Sequence, residues 1–309
     1  MRLRLGEHMQ RSIAITFATF AVLGLNCSAL AAPIVISSMS GFENIQNDLT
    51  GSYILGSSIN ASGFAFAPIT GLFSGTFDGG GYSINNLTYN NPSASFGALF
   101  LAVGSTGTIQ NLSLNNASIT ASPIGEAAGI TTFNLGTIKN VTVNGSFNAG
   151  SIGGIASYTE GTILNSQAKI LGTITGGNGG GITADNRGTI TDSSSSGSLK
   201  QTGTGCPNCA SAMGGIAGHS SGTITNSHSS VNIFGIESVA GGLVGVTSNG
   251  HTSQSYATGN ISATGARNTI GGFAGISNPG STISNSYSTG SVKITQVADP
   301  FMIDHAGVT

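Results

Sequence analysis

The sequence predicts an all-β fold: a stacked parallel β-solenoid of about eight coils, each of roughly 25–34 residues, with an N-terminal cap. Three observations predict it. The composition is that of a turn-rich folded protein with few charges, one short phrase returns at solenoid-like steps, and aligning the copies produces columns of identical residues.

Of 309 residues 49 are glycine, only 6% are charged and tryptophan is absent. Ordinary globular chains carry about 25% charged residues and about 7% glycine, so the surface is not that of a typical soluble enzyme. The hydrophobic fraction of 39% is too high for a disordered chain, because enough apolar surface is present to offset chain entropy. Nine Lys and Arg against eleven Asp and Glu leave no basic stripe to neutralise phosphates, so no nucleic-acid partner is expected.

Residues 1–32 read as a signal peptide. Arg2, Arg4 and Arg11 precede an apolar run over residues 13–25, and Ala29-x-Ala31 is a small-residue cleavage pattern. Met9 is an alternative start. The run is shorter than the roughly 20 residues a membrane-spanning helix needs, so export without a membrane span is expected, to the cell surface or beyond it. A lipid on Cys27 would require a leucine three residues before it and a small residue just before it, where the chain has Gly24 and Asn26.

Residues 33–91 are less regular and richer in phenylalanine, with Phe42, Phe64, Phe66, Phe73 and Phe77 among the apolar positions. A solenoid exposes the core of its first coil unless something covers it, and this section is the natural cover.

Residues 92–294 carry the repeats. Gly-Thr-Ile recurs from Gly107, Gly136, Gly161, Gly188 and Gly222, with weaker copies from Gly250 and Ser281. Two positions into the copies stand Ile109, Ile138, Ile163, Ile190, Ile224 and Ile283, interrupted by Thr252. Four positions in stand Asn111, Asn140, Asn165, Asp192, Asn226, Gln254 and Asn285. A glycine pair precedes each of five copies, at Gly153, Gly180, Gly214, Gly241 and Gly271. Each column is expected to stack on itself about 4.8 Å apart. Isoleucine fills a narrow core with branched side chains suited to strands. Asparagine tolerates left-handed dihedrals and can pass an amide hydrogen bond to its neighbour above. Glycine pairs permit corners without a Cβ clash. Residues 295–309 leave the pattern as a tail, and both a free-standing and a truncated chain are compatible with it.

The Gly-Gly-Ile/Leu-x-Gly phrases at residues 214–218 and 241–245, each leading toward Gly-Thr-Ile-x-Asn-Ser or its variants, resemble the GLUG-motif family of bacterial surface proteins. So do Phe73-Ser-Gly-Thr-Phe-Asp-Gly79 and Ile84-Asn-Asn-Leu87 ahead of them. The resemblance covers roughly residues 34–294. It implies a right-handed parallel β-helix in a secreted, adhesin-like interaction module without catalysis or cofactor, its partner a host or matrix protein or a glycan.

Other chemistries are weaker fits. Gly218-x-Ser220-x-Gly222 has the form of a nucleophile elbow but lies between short strands, without the strand-to-helix turn the elbow needs. A polysaccharide-cleaving β-helix would need carboxylates gathered on one face. The candidates Glu160, Asp185 and Asp192 fall one before, three before and four after their repeat starts, so they do not align. An ice-binding surface would use the outward column Thr108, Thr137, Thr162, Thr189 and Thr223, which a second threonine accompanies only at Thr191 and Thr225. Cys206-x-x-Cys209 with His219 and His228 matches no zinc spacing, and in an exported chain the expectation is a Cys206–Cys209 disulfide in a protruding loop. Segments 196–213, 234–239 and 265–270 vary between copies and are expected to carry the contact surface.

Overall fold

The computed structural model describes residues 32–203, 211–236, 238–265 and 268–295. The proposed signal peptide, the tail, Cys206 and Cys209 lie outside the described residues, as do Glu237 and Arg267 in two of the variable segments.

From Phe96 onward each coil has four sides. One coil runs Ser151–Gly153, Ala156–Thr159, Thr162–Leu164 and Gln167–Ile174, named here the first to fourth sides. Every side pairs in parallel with the same side of the coils before and after it, so the sides form sheets of seven, eight, ten and twelve strands. Together they make a β-solenoid of about eight turns.

On the third side the register runs Ile109, Ile138, Ile163, Ile190, Ile224, Thr252, Ile283. The five isoleucines from Ile109 to Ile224 are fully buried. Ile283 is 41% exposed, because no further described coil covers it. Toward the N-terminus the same column continues through Phe77 to Tyr53. Aromatic rings take over there because the cap is held by ring contacts. Ser38 caps a short helix, Met39–Glu43, by accepting a hydrogen bond from the Gly41 N–H. That helix points Phe42 into the first coil, 5.4 Å from the rings of both Phe77 and Phe100, closing the core.

The turn after each third side is left-handed. Asn111, Asn140, Asn165, Asp192, Asn226, Gln254 and Asn285 all have φ between 45° and 55°. Asparagine holds this conformation at little cost, which is why it recurs here. Its amide is also used. Asn140 Nδ2 donates to Asn111 Oδ1 at 3.0 Å, and Asn165 Nδ2 to Asn140 Oδ1 at 2.9 Å. Asn111 donates in turn to Asp78. Asp192 accepts from Asn226 Nδ2 but has no proton to give Asn165, so the chain of amides stops there. Restoring the donor with Asp192→Asn should raise stability by about 1 kcal/mol, the typical net worth of a hydrogen bond. Chemical denaturation of the two proteins measures it, and an unchanged midpoint counts against a continuous amide chain.

The next residue builds a second, buried ladder. The backbone N–H of Ser166 donates to Ser193 Oγ, that of Ser193 to Ser227 Oγ, and that of Ser227 to Ser255 Oγ, at 3.1 to 3.2 Å. Each hydroxyl in turn donates to the carbonyl two residues before it. The corner between the first and second sides is tight. A Cβ on Gly180 would lie 1.8 Å from the carbonyl oxygen of Thr183, so no other residue fits.

Candidate functional site

The second side presents its outward residues in a column that changes identity from coil to coil. Phe133, Tyr158, Asp185, His219 and Val246 are successive register partners. The inward positions of the same strands are fixed by packing, so they repeat. These outward positions are not, which leaves them available for chemistry.

Neighbouring members of the column touch. Phe96, on the first side, packs its ring 5.7 Å from Phe133, and Phe133 lies 5.9 Å from Tyr158. Arg187, from the turn after this strand, lays its guanidinium 4.9 Å over the Tyr158 ring and reaches Asp185 Oδ2 at 3.5 Å. On the other side of Asp185, His219 Nδ1 lies 3.4 Å from Oδ1. The Tyr158 hydroxyl donates to Glu160 Oε1. The result is a continuous strip of aromatic, cationic and acidic groups across five coils, about 19 Å at the inter-coil spacing of a sheet. Its Arg187–Asp185 ion pair is partly exposed and adds little stability, about 0 to 1 kcal/mol, so stability does not account for its presence.

Burial and charge set the protonation of two members. Tyr158 is pushed up to about 12, first by desolvation and then by its bond to Glu160, with Arg187 opposing. Glu126, an outward residue of the first side, is raised above the ordinary carboxyl range by burial and by the Asp185 charge, partly offset by the Ser157 hydroxyl. Its Oε2 is buried with no partner among the described residues. A carboxyl whose folded pKa is raised stabilises the fold fully below its unfolded pKa, and that stability is lost as pH rises through the folded value. Glu126→Gln, which imitates the protonated form, should therefore leave stability unchanged in acid and raise it at neutral pH. Melting curves across that range check this, and equal differences at every pH would show that the carboxyl does not titrate in this way.

The residues singled out from sequence fall in different places. Asp185 and Glu160 meet around Tyr158 and Arg187, although their offsets from the repeat start differ. Asp192 belongs to the asparagine turn and does not join them. Ser220 is 1% exposed and accepts a hydrogen bond from Asn186 Nδ2 at 3.0 Å, so it is a rung of the core and not a nucleophile. His219 sits on the second side and His228 on the fourth, stacked on Tyr256 at 4.8 Å, so the two do not share a site. The outward threonines do align on the third side, but the next outward column there includes Gln110, Lys139 and Leu164, which interrupt a flat hydroxyl array. The variable segment 196–213 begins and ends inside strands, Ser194–Gln201 and Ala212–Gly214, so its loop is shorter than the alignment implies.

No family model matches the chain, so the likeness to GLUG-motif proteins rests on its own residues. A stretch of 142 residues is 35% identical to halomucin of Haloquadratum walsbyi, which covers 40% of this chain and 2% of that protein. Two solved structures share the coil architecture. One is a Bacteroides ovatus protein named provisionally as an immunoglobulin A1 protease, with 18% identity and a TM-score of 0.50 over 85% of this chain and 77% of that one. The other is named as an IgA1 protease, with 19% identity and a TM-score of 0.55 over 85% of this chain and 20% of that one. The chain therefore spans only a small part of halomucin and of the second structure. The expectation of a chain without catalysis is corrected here, because both solved structures of this architecture carry the names of enzymes. The physical reason is that a β-helix satisfies its core and turns internally and leaves its outward positions open to any chemistry, so repeat regularity says nothing against activity. What the likenesses show is the fold, and the chain is a β-helix protein.

Proposed function

We propose that the chain is an exported, surface-displayed β-helix module of the adhesin-like kind, related to GLUG-motif proteins, whose second side grips a host or matrix protein or a glycan. The observation that carries this reading is the strip from Phe96 to His219. Aromatic rings and a guanidinium are the groups that dominate binding energy at protein interfaces, and here a rigid ladder of strands holds them in line. The targeting pattern of residues 1–32 and the names of the similar proteins support a place outside the cell. A Cys206–Cys209 disulfide belongs to the same proposal, since an exported chain meets an oxidising environment.

The test is a triple variant, Phe133→Ser, Tyr158→Ala and Arg187→Ala, compared with the unchanged protein for attachment to cells and matrix. All three side chains face outward, so β-rich circular dichroism should persist while attachment falls by at least about tenfold. Undiminished attachment in a folded variant removes the strip as the contact surface.

A further inference from the structure

The fourth side carries a second candidate surface, separate from the strip. Its strands are long and bent. The register shifts between Leu114 and Ala117, and φ is positive at Asn116 (51°) and Gly197 (106°). Just ahead of that bend two outward columns run side by side, Thr142, Gln167 and Ser194 and, two residues on, Asn144, Lys169 and Ser196. Between them lies a groove of about 360 Å³. That volume is within the range of about 300–1,000 Å³ found for small-ligand sites.

The chemistry of the walls is specific. The turn asparagines Asn140 and Asn165 spend their amides within their own column, and Asn115 at the groove's edge bonds to Asn85 at 3.1 Å. The side chains of Asn144, Gln167, Lys169, Ser194 and Ser196 have no hydrogen-bond partner among the described residues, so their donors and acceptors face the groove unspent. Lys169 is the one charged side chain of the lining, and no carboxylate stands with it. One end is closed by His228. Its ring lies nearly parallel to Tyr256, 4.8 Å away and tilted by 7°, and its other face is turned toward its register partner Ser194. Amides and hydroxyls repeating at about 4.8 Å, close to the advance of a pyranose chain, with a ring face at the end, are the groups that hold a sugar chain.

We propose that this groove binds a short acidic glycan segment. A sugar carboxylate pairs with Lys169, ring hydroxyls bond to Asn144, Gln167 and Ser196, and the terminal sugar rests on the free face of His228. The site does not depend on the second-side strip, so either can fail without the other.

The full-length exported protein is titrated calorimetrically with three acidic hexasaccharides, an oligogalacturonate, an oligomannuronate and hyaluronan, and with neutral maltohexaose. At least one acidic probe should bind about tenfold more tightly than maltohexaose and lose that advantage in Lys169→Gln. Added salt should weaken it, and His228→Ala should weaken it further. Thr223→Ala, on the third side, should leave it unchanged. No binding of any acidic probe, equal binding of maltohexaose, or binding that survives Lys169→Gln overturns the proposal. Circular dichroism of each variant confirms that it is folded.

Discussion

Ile190→Asp unfolds the central coils, while Thr189→Asp, one position away, leaves the melting curve nearly unmoved. Ile190 is fully buried between Ile163 and Ile224, so a carboxylate there has neither water nor a partner. The cost is about 3 to 5 kcal/mol, a large part of the stability of any domain. The coils above and below cannot turn away, because all four sides are locked in register. Thr189 is exposed and faces outward, where a substitution costs within about 0.5 kcal/mol. Thermal denaturation followed by circular dichroism separates the two. Equal destabilisation would mean that the inward and outward positions of the third side have been exchanged.

Gly180→Ala is expected to be nearly as damaging, about 3 kcal/mol, although it adds a single methyl group. The new carbon would lie 1.8 Å from the carbonyl oxygen of Thr183 and 2.8 Å from that of Ile216. Both atoms are backbone, and Ile216 belongs to the next coil, so relief requires opening the stack. Gly63→Asn is the comparison. Gly63 has φ of 73° and open space around its Cα, and asparagine tolerates that conformation, so its midpoint should scarcely move. If Gly180→Ala melts with the unchanged protein, the corner is looser than its geometry implies.

The parts of the fold legible in the sequence are those where stacking forces a residue to sit on its own copy. Isoleucine meets isoleucine and asparagine meets asparagine at each step, so aligning the copies is enough to reveal the column. From Ser166 onward the residue after the turn is as regularly serine, but its work lies in the backbone N–H of the previous coil, which no side-chain pattern displays. The cap helix Met39–Glu43 is illegible because five residues are too few to show a helical period. The strip escapes for the opposite reason. Tyr158, Asp185 and His219 are register partners that share no chemistry, so a search for repetition passes over them. Counting carboxylates from the repeat start also misleads, because Glu160 reaches the cluster from a turn and Asp185 from a strand.

The strands lie across the rod, so the hydrogen bonds between coils run along it. A pull from end to end therefore loads the coil interfaces in series, each carrying the whole force, and the weakest one parts first. The two interfaces of one coil depart from the rest in two columns at once, where Thr252 meets Ile224 and Ile283 in the core and Gln254 stands between Asn226 and Asn285 at the turn. The molecule thus has a built-in region of parting, close beyond the last coil of the second-side strip, and tension would separate the final coils before it disturbed the surface from Phe96 to His219.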